Sequence, residues 1–311
     1  MTSVLEAIGN TPLVELRRIS AGLPVPVFAK CEHMNPGGSI KDRIAKAIVL
    51  DAEQSGTLRP GMTLIEATAG NTGIGLAIVA ATRGYKLVCV MPEKMCVDKR
   101  TTLISLGAEV IIVANAPPSD PGNFRNVALR LSIERGWFLT NQFSNPANIR
   151  IHEETTAEEI LRQTSRHIGA FVVGAGTGGT ITGVGRRLKA CVAGVKIILA
   201  DPIGSSLADW VETGSYGKDS TYGIEGIGAS EAPDNLHPAV IDGAERISDV
   251  ESYAMVRRLI REEGLLVGGS AGTNVAAAVR VAAKGGNGGP VVTILPDSWD
   301  RYRSKPWMQS I

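Results

Sequence analysis

Four glycine-marked junctions hold the residues best able to do chemistry. In Asn35-Pro36-Gly37-Gly38-Ser39-Ile40-Lys41-Asp42-Arg43, Ser39 and Asp42 are spaced as an N-cap and a capping-box acid, which predicts Lys41 in the first turn of a helix. A lysine there opposes the helix macrodipole, and the same field favours the neutral, nucleophilic amine. The ordinary alternative is a solvated lysine that tolerates the dipole.

The second junction, Thr68-Ala69-Gly70-Asn71-Thr72-Gly73, follows the apolar run Thr63–Glu66. Free backbone N–H groups, threonine hydroxyls and a helix N-terminus make a receptor for a carboxylate or phosphate, although a plain capped turn looks the same in sequence. The third, Gly174-Ala175-Gly176-Thr177-Gly178-Gly179-Thr180, follows Phe171-Val172-Val173 and can wrap a phosphate with N–H groups and the hydroxyls of Thr177 and Thr180. Gly174, Gly176 and Gly179 also satisfy G-x-G-x-x-G, and Asp201 falls 22 residues after Gly179, which is the layout of a dinucleotide site. The fourth, Gly268-Gly269-Ser270-Ala271-Gly272, reads by default as a junction with Ser270 as N-cap.

Elements that alternate between strand and helix must position these loops. Val25–Lys30, Thr63–Glu66, Leu87–Met91, Val110–Val113, Phe171–Val173, Ile197–Ala200, Leu265–Val267 and Val291–Leu295 read as buried strands. Helical patterns at Ile74–Arg83, Ile181–Lys189 and Asn274–Ala283 follow, so the expected fold is α/β with mostly parallel, twisted sheets flanked by helices. Ala114–Asn123, Gly204–Gly223 and Gly285–Pro290 read as loops.

With 311 residues, 44% of them apolar, the chain suffices for one large or two medium domains. A net charge of +1 and the lack of a basic stripe argue against nucleic acid. Met1–Glu6 has no signal-peptide pattern and no apolar run reaches membrane-spanning length, so a cytoplasmic chain without a membrane partner is expected. Cys31, Cys89, Cys96 and Cys191 match no metal spacing and read as free thiols in a reducing compartment, with no metal expected.

Taken in order, the four loops resemble the fold-type II pyridoxal-phosphate (PLP) family of cysteine synthases and cystathionine β-synthases, whose fold is tryptophan synthase β-like. Ile8-Gly9-Asn10-Thr11-Pro12-Leu13 resembles the family's opening signature, and Gln142-Phe143-x-Asn145-Pro146-Ala147-Asn148 is also family-like. Met91-Pro92-Glu93-Lys94-Met95, Ala200-Asp201-Pro202-x-Gly204-Ser205, Tyr222–Gly228, Gly264–Gly272 and Leu295-Pro296-Asp297-Ser298 lean toward the cystathionine β-synthase branch, whereas cysteine synthases usually show glutamine where Glu225 stands.

The resemblance implies that Lys41 holds PLP, that Asn71 bonds its ring oxygen, that Gly176, Thr177, Gly178, Gly179 and Thr180 bind its phosphate, and that Ser270 faces its ring nitrogen. Thr68, Ala69, Gly70, Thr72, Gln142 and Gly226 would bind the substrate. Lys41 would act as general base, and Glu225 would assist departure of the β-substituent. The expected reaction is β-replacement on serine or an O-activated serine by a thiol. Serine with homocysteine ranks first, and O-acetylserine with sulfide second. The expected partners are these small molecules and a second subunit, as a homodimer. The expected division is residues 1–40 with 147–311 as a large PLP-binding domain and 41–146 as a smaller, mobile substrate-binding domain.

Three departures bear on substrate identity. The family's carboxylate loop normally has serine where Ala69 stands, and the cystathionine branch normally has tyrosine where Glu153 and Ala229 stand. Two other readings stay open. An NAD-dependent oxidoreductase would use Gly174–Gly179 and Asp201 but leaves Lys41 and Thr68–Gly73 without a role. A catalytically silent binding protein has no need of Lys41.

Overall fold

The computed structural model describes residues 3–68, 70–93, 97–117 and 119–309. Its strands are β1 (Leu13–Glu15), β2 (Val27–Lys30), β3 (Thr63–Ala67), β4 (Lys86–Pro92), β5 (Glu109–Val113), β6 (Phe138–Leu139), β7 (Ala170–Val173), β8 (Lys196–Pro202), β9 (Gly243–Ile247) and β10 (Val291–Ile294). Its helices are α1 (Lys41–Gln54), α2 (Asn71–Arg83), α3 (Val97–Ser105), α4 (Phe124–Arg135), α5 (Pro146–Ile151), α6 (Ala157–Gln163), α7 (Gly179–Cys191), α8 (Leu207–Thr213), α9 (Asp249–Glu263), α10 (Gly269–Ala283) and α11 (Pro306–Gln309). They fall into two compact units, 1–8 with 35–148 and 9–34 with 149–311. This division differs from the expected bounds at 1–8, 35–40 and 147–148, which cluster with the smaller unit.

In the smaller unit, β5-β4-β3-β6 form an all-parallel sheet. Alternate residues face opposite layers, as the two-residue period of a strand requires. Leu64, Leu87, Cys89 and Met91 pack in one buried cluster with residues of α1 and α2, while Ile65, Val88 and Val90 pack in another with Val127 and Ala128 of α4. Both faces are covered, which is why these strands read as continuous apolar runs.

In the larger unit the sheet order is β1-β2-β10-β7-β8-β9, with only β1 antiparallel to its neighbour. β7 and β10 are buried at every residue. α10 is built of small residues and approaches α9 closely. An ideal Cβ on Gly272 would lie 2.0 Å from the Ser252 carbonyl oxygen, so a larger residue would push the helices apart.

Two sequence-based assignments are corrected. Leu265–Val267 is not a strand. α9 ends at Gly264 in the left-handed region (φ 72°), Leu265 returns its N–H to Leu259 at 3.0 Å, and Val267 makes a single antiparallel bridge to Ser298. The Gly204–Gly223 stretch is not all loop, because α8 forms within it. Among the described residues no helix is long and apolar enough to cross a membrane.

Candidate active site

Lys41 is the first residue of α1, at the positive end of the helix dipole. The expected capping box takes another form. Ile40 occupies the N-cap position with helical backbone and no side-chain cap. The Ser39 hydroxyl accepts from the Lys41 N–H at 3.2 Å, and the Asp42 carboxylate accepts from the Gly37 N–H at 2.5 Å. Asp42 thus reaches back to the first glycine of the pair and closes the turn that presents Lys41. An ideal Cβ on Gly37 would lie 2.5 Å from Asp42 Oδ1, so the turn requires glycine there. Gly75 of α2 lies against the same helix start, its ideal Cβ 3.0 Å from the Lys41 carbonyl oxygen and 3.1 Å from Ala45 Cβ. The small residue lets the two helix N-termini converge.

The second junction ends in α2, with Gly70 at the N-cap and Asn71 as first helical residue. Gly70 supplies no side-chain cap, and its carbonyl accepts from the Gly73 N–H at 3.1 Å, closing the first turn. An ideal Cβ at Gly70 meets nothing within 4 Å, leaving open space over that end. Thr68 and Thr72 are buried, and the Thr72 hydroxyl donates to Gln142 Oε1 at 2.6 Å. Four of the five expected substrate residues in this unit are therefore placed on one loop and its Gln142 partner. Ala69 lies outside the described residues.

Glu66, on β3, went unnoticed in the sequence. It is fully buried and accepts a close hydrogen bond from the Thr140 hydroxyl and one from the Gln142 N–H at 3.2 Å. Burial pushes its pKa above the usual carboxylate range, opposed by these hydrogen bonds. The Asn148 amide donates to the Gln142 carbonyl at 2.9 Å, so Gln142 is held from both sides. A lone glutamate inside an apolar run was the available signal.

In the larger unit, the third junction connects β7 to α7. Gly178 is the N-cap in the left-handed region (φ 84°) without a side-chain cap, so the first amides of α7 keep their donors. The loop is packed as tightly as glycine permits. An ideal Cβ on Gly176 would lie 2.2 Å from the Gly226 carbonyl oxygen, and one on Gly178 2.5 Å from the Leu236 nitrogen. Gly226 is thereby placed against the phosphate-loop candidate. The Asn274 side chain accepts from the Gly174 N–H at 2.8 Å and anchors the loop to α10. The Thr180 hydroxyl lies 3.1 Å from His152 Nε2, and His152 Nδ1 lies 2.9 Å from the Thr156 hydroxyl. His152 is buried in a π-helical turn, His152–Thr156, and no local sequence signal marks it.

Ser270 is buried as the second residue of α10. It is not the N-cap, a position that falls to Gly268 without a side-chain cap. Glu225 is half-buried and paired with Lys305, Nζ to Oε1 at 2.5 Å. Of the two departures in this unit, Glu153 lies in the π-helical turn. Ala229 bonds through its backbone to Ser205 and Ser206.

Asp201 does not present a carboxylate to a ribose. It is fully buried and accepts from the Ala208 N–H at 2.9 Å, tying β8 to the start of α8. Its pKa is pushed up to about 6 by burial. The donor sets fit a phosphate-bearing carbonyl cofactor instead. A lysine opens one helix, and a glycine-lined helix start offers uncapped amides with Thr177 and Thr180 beside them. Among the described residues no cluster of three or more metal-ligating side chains occurs.

The chain belongs to the pyridoxal-phosphate dependent enzyme family, whose model matches residues 4–297. It is 46% identical over 309 residues to cystathionine beta-synthase of Rattus norvegicus, covering 98% of this chain and 55% of the relative. The chain thus spans about half the length of that relative. It is 45% identical over 321 residues to cysteine synthase 1 of Emericella nidulans, covering 100% of this chain and 86% of the relative. Among solved structures, O-ureido-L-serine synthase matches with a TM-score of 0.92 at 38% identity, covering 100% of this chain and 96% of that one.

Proposed function

We propose that the chain catalyses PLP-dependent β-replacement on a serine-type amino acid with a thiol nucleophile, serine with homocysteine first. The observation that carries this reading is the position of Lys41 as the first residue of α1. When bound, the cofactor delocalises the charge left by removal of the α-proton. Lys41 carries the cofactor, takes that proton once released, and returns a proton at the end. Asn71 would bond the cofactor's ring oxygen, and Gly176–Thr180 would hold its phosphate. Ser270 would lie at the ring nitrogen, where a neutral hydroxyl would fix a proton less firmly than a carboxylate and so favour prompt elimination.

The substrate carboxylate would rest on Thr68, Ala69, Gly70, Thr72 and Gln142, and Gly226 is a further expected substrate residue. Glu225 assists departure of hydroxide, which needs a proton where acetate does not. That residue favours serine over O-acetylserine, and the cystathionine beta-synthase relative at 46% identity supports the same branch. Cysteine synthase activity is the second reading, supported by the relative of that name at 45% identity. We place the enzyme in a reducing cytosol, in keeping with free Cys31, Cys89 and Cys191, and expect a homodimer from the family resemblance alone.

The test is a steady-state comparison of serine with O-acetylserine, each offered sulfide and homocysteine. Highest kcat/KM for serine with homocysteine supports the first reading, and highest for O-acetylserine with sulfide the second. Failure of all four pairs would reject both, and the oxygen-linked side chain in the name of O-ureido-L-serine synthase would direct the search toward oxygen nucleophiles.

A further inference from the structure

The loop that carries Glu225 is pinned at both ends. The Gly223 N–H donates to the Asp249 carboxylate at 2.6 Å, and the Gly228 N–H donates to the Ala175 carbonyl at 2.9 Å. Between these anchors, Gly226 has φ 89° and open space around its ideal Cβ. Backbone anchoring therefore places the loop but does not aim the Glu225 side chain.

A distant part of the chain reaches that side chain. Lys305 Nζ lies 2.5 Å from Glu225 Oε1, with the two side chains 33% and 30% exposed. Lys305 is itself held by the C-terminal segment. Its N–H donates to the Tyr302 carbonyl at 2.9 Å. Trp307 stacks on Tyr253 of α9 with ring centroids 4.7 Å apart and lies 5.7 Å from the Tyr302 ring. An ideal Cβ on Gly269 would sit 3.6 Å from Tyr253 and 3.8 Å from Trp307, so this aromatic group packs on the first turn of α10, next to Ser270.

We infer that Lys305 is a positioning residue for Glu225, fixing its carboxylate in the ionised form and in one orientation, and so sets the preference between hydroxide and acetate as leaving groups. This rests on the proposed role of Glu225, whose carboxylate orients the departing hydroxyl toward the proton that Lys41 has taken from the α-carbon. Departing hydroxide takes the electron pair of the broken C–O bond together with that proton and leaves as water, and the proton later returned to the α-carbon comes from the thiol. Acetate takes the electron pair alone. A partner that only orients Glu225 therefore matters for one substrate and not for the other. An ion pair that served stability alone would leave the two substrates alike.

The experiment uses the PLP-loaded chain and its Lys305→Met, Lys305→Arg and Glu225→Gln variants, with serine and O-acetylserine as alternative substrates. General acid assistance is worth about 10²–10⁴-fold, and loss of its positioning is expected to forfeit about tenfold of that. Lys305→Met should therefore lower kcat for serine with KM little changed, and leave O-acetylserine within about twofold. Lys305→Arg should restore most of the loss. The double variant should be no slower than Glu225→Gln alone, because the two residues act as a unit. If Glu225→Gln changes the substrate ratio and Lys305→Met does not, the inference is overturned while the reading of Glu225 stands. If Glu225→Gln leaves the ratio unchanged, both fall. Equal losses with both substrates in Lys305→Met would assign the C-terminal segment a structural role only and also overturn the inference.

Discussion

The Thr72 hydroxyl donates to Gln142 Oε1 at 2.6 Å, joining residues 70 positions apart at the start of α2. The bond fixes the orientation of the amide, and the Gln142 side chain also hydrogen-bonds the buried Glu66 carboxylate. Thr72→Val removes the donor but keeps the shape. It should weaken amino-acid binding by about 1–3 kcal/mol, the cost of losing a hydrogen bond to a charged group. The loss should appear in KM, with retention of PLP unchanged. Equal weakening of cofactor and amino acid would contradict the assignment of this loop to the substrate.

Glu66 gives a second prediction. Glu66→Ala would leave the Thr140 hydroxyl and the Gln142 N–H without their buried acceptor. Stability should fall by about 2–4 kcal/mol, the range for breaking a buried polar network. Glu66→Gln retains an acceptor oxygen and should lose less. Denaturant unfolding of both variants measures the difference, and a smaller loss for the alanine variant would contradict the network.

At the phosphate loop, Thr177→Ala and Thr180→Ala should each weaken PLP retention by about 1–3 kcal/mol. Equilibrium dialysis against PLP measures this. Unchanged PLP affinity accompanied by NAD binding would revive the dinucleotide reading.

Asp201 makes stability depend on pH. Its pKa is raised from 3.8 to about 6 by burial, opposed by hydrogen bonds from Ala208 and Ser205 and by the charge of Arg246, while Asp209 adds to the rise. A raised native pKa means that the native state binds the extra proton. This contribution is therefore fully present below about pH 3.8 and lost as pH rises through about 6, a change on the order of 2–3 kcal/mol. Asp201→Asn cannot titrate, so the difference in unfolding free energy between variant and parent should shift in the variant's favour from pH 4 to about pH 7. A constant difference across that range would show that Asp201 keeps an ordinary carboxylate pKa.

Much of this arrangement was legible where local pattern and tertiary burial agree. β7 and β10 read correctly because all of their residues are buried, and the glycine junctions marked the starts of α1, α2, α7 and α10. Short or polar strands gave no such signal. β1 has three residues, β6 has two, and β9 carries Glu245 and Arg246. Ser39 and Asp42 have capping-box spacing, yet the turn at Gly37 competes for Asp42 and wins. The partners of the site residues were hidden because their contacts are non-local. Glu66 meets Gln142, His152 meets Thr180, and Lys305 meets Glu225 across 76, 28 and 80 positions respectively.

The central claim is that Lys41 carries the cofactor and the proton. Borohydride reduction of the PLP-loaded enzyme fixes the cofactor to its lysine, and mass spectrometry of the peptides then locates it. The account predicts the added mass on the peptide containing Lys41, with no label, no visible cofactor band and no turnover in Lys41→Ala. Label on another lysine, or turnover in Lys41→Ala equal to that of the parent chain, would contradict it.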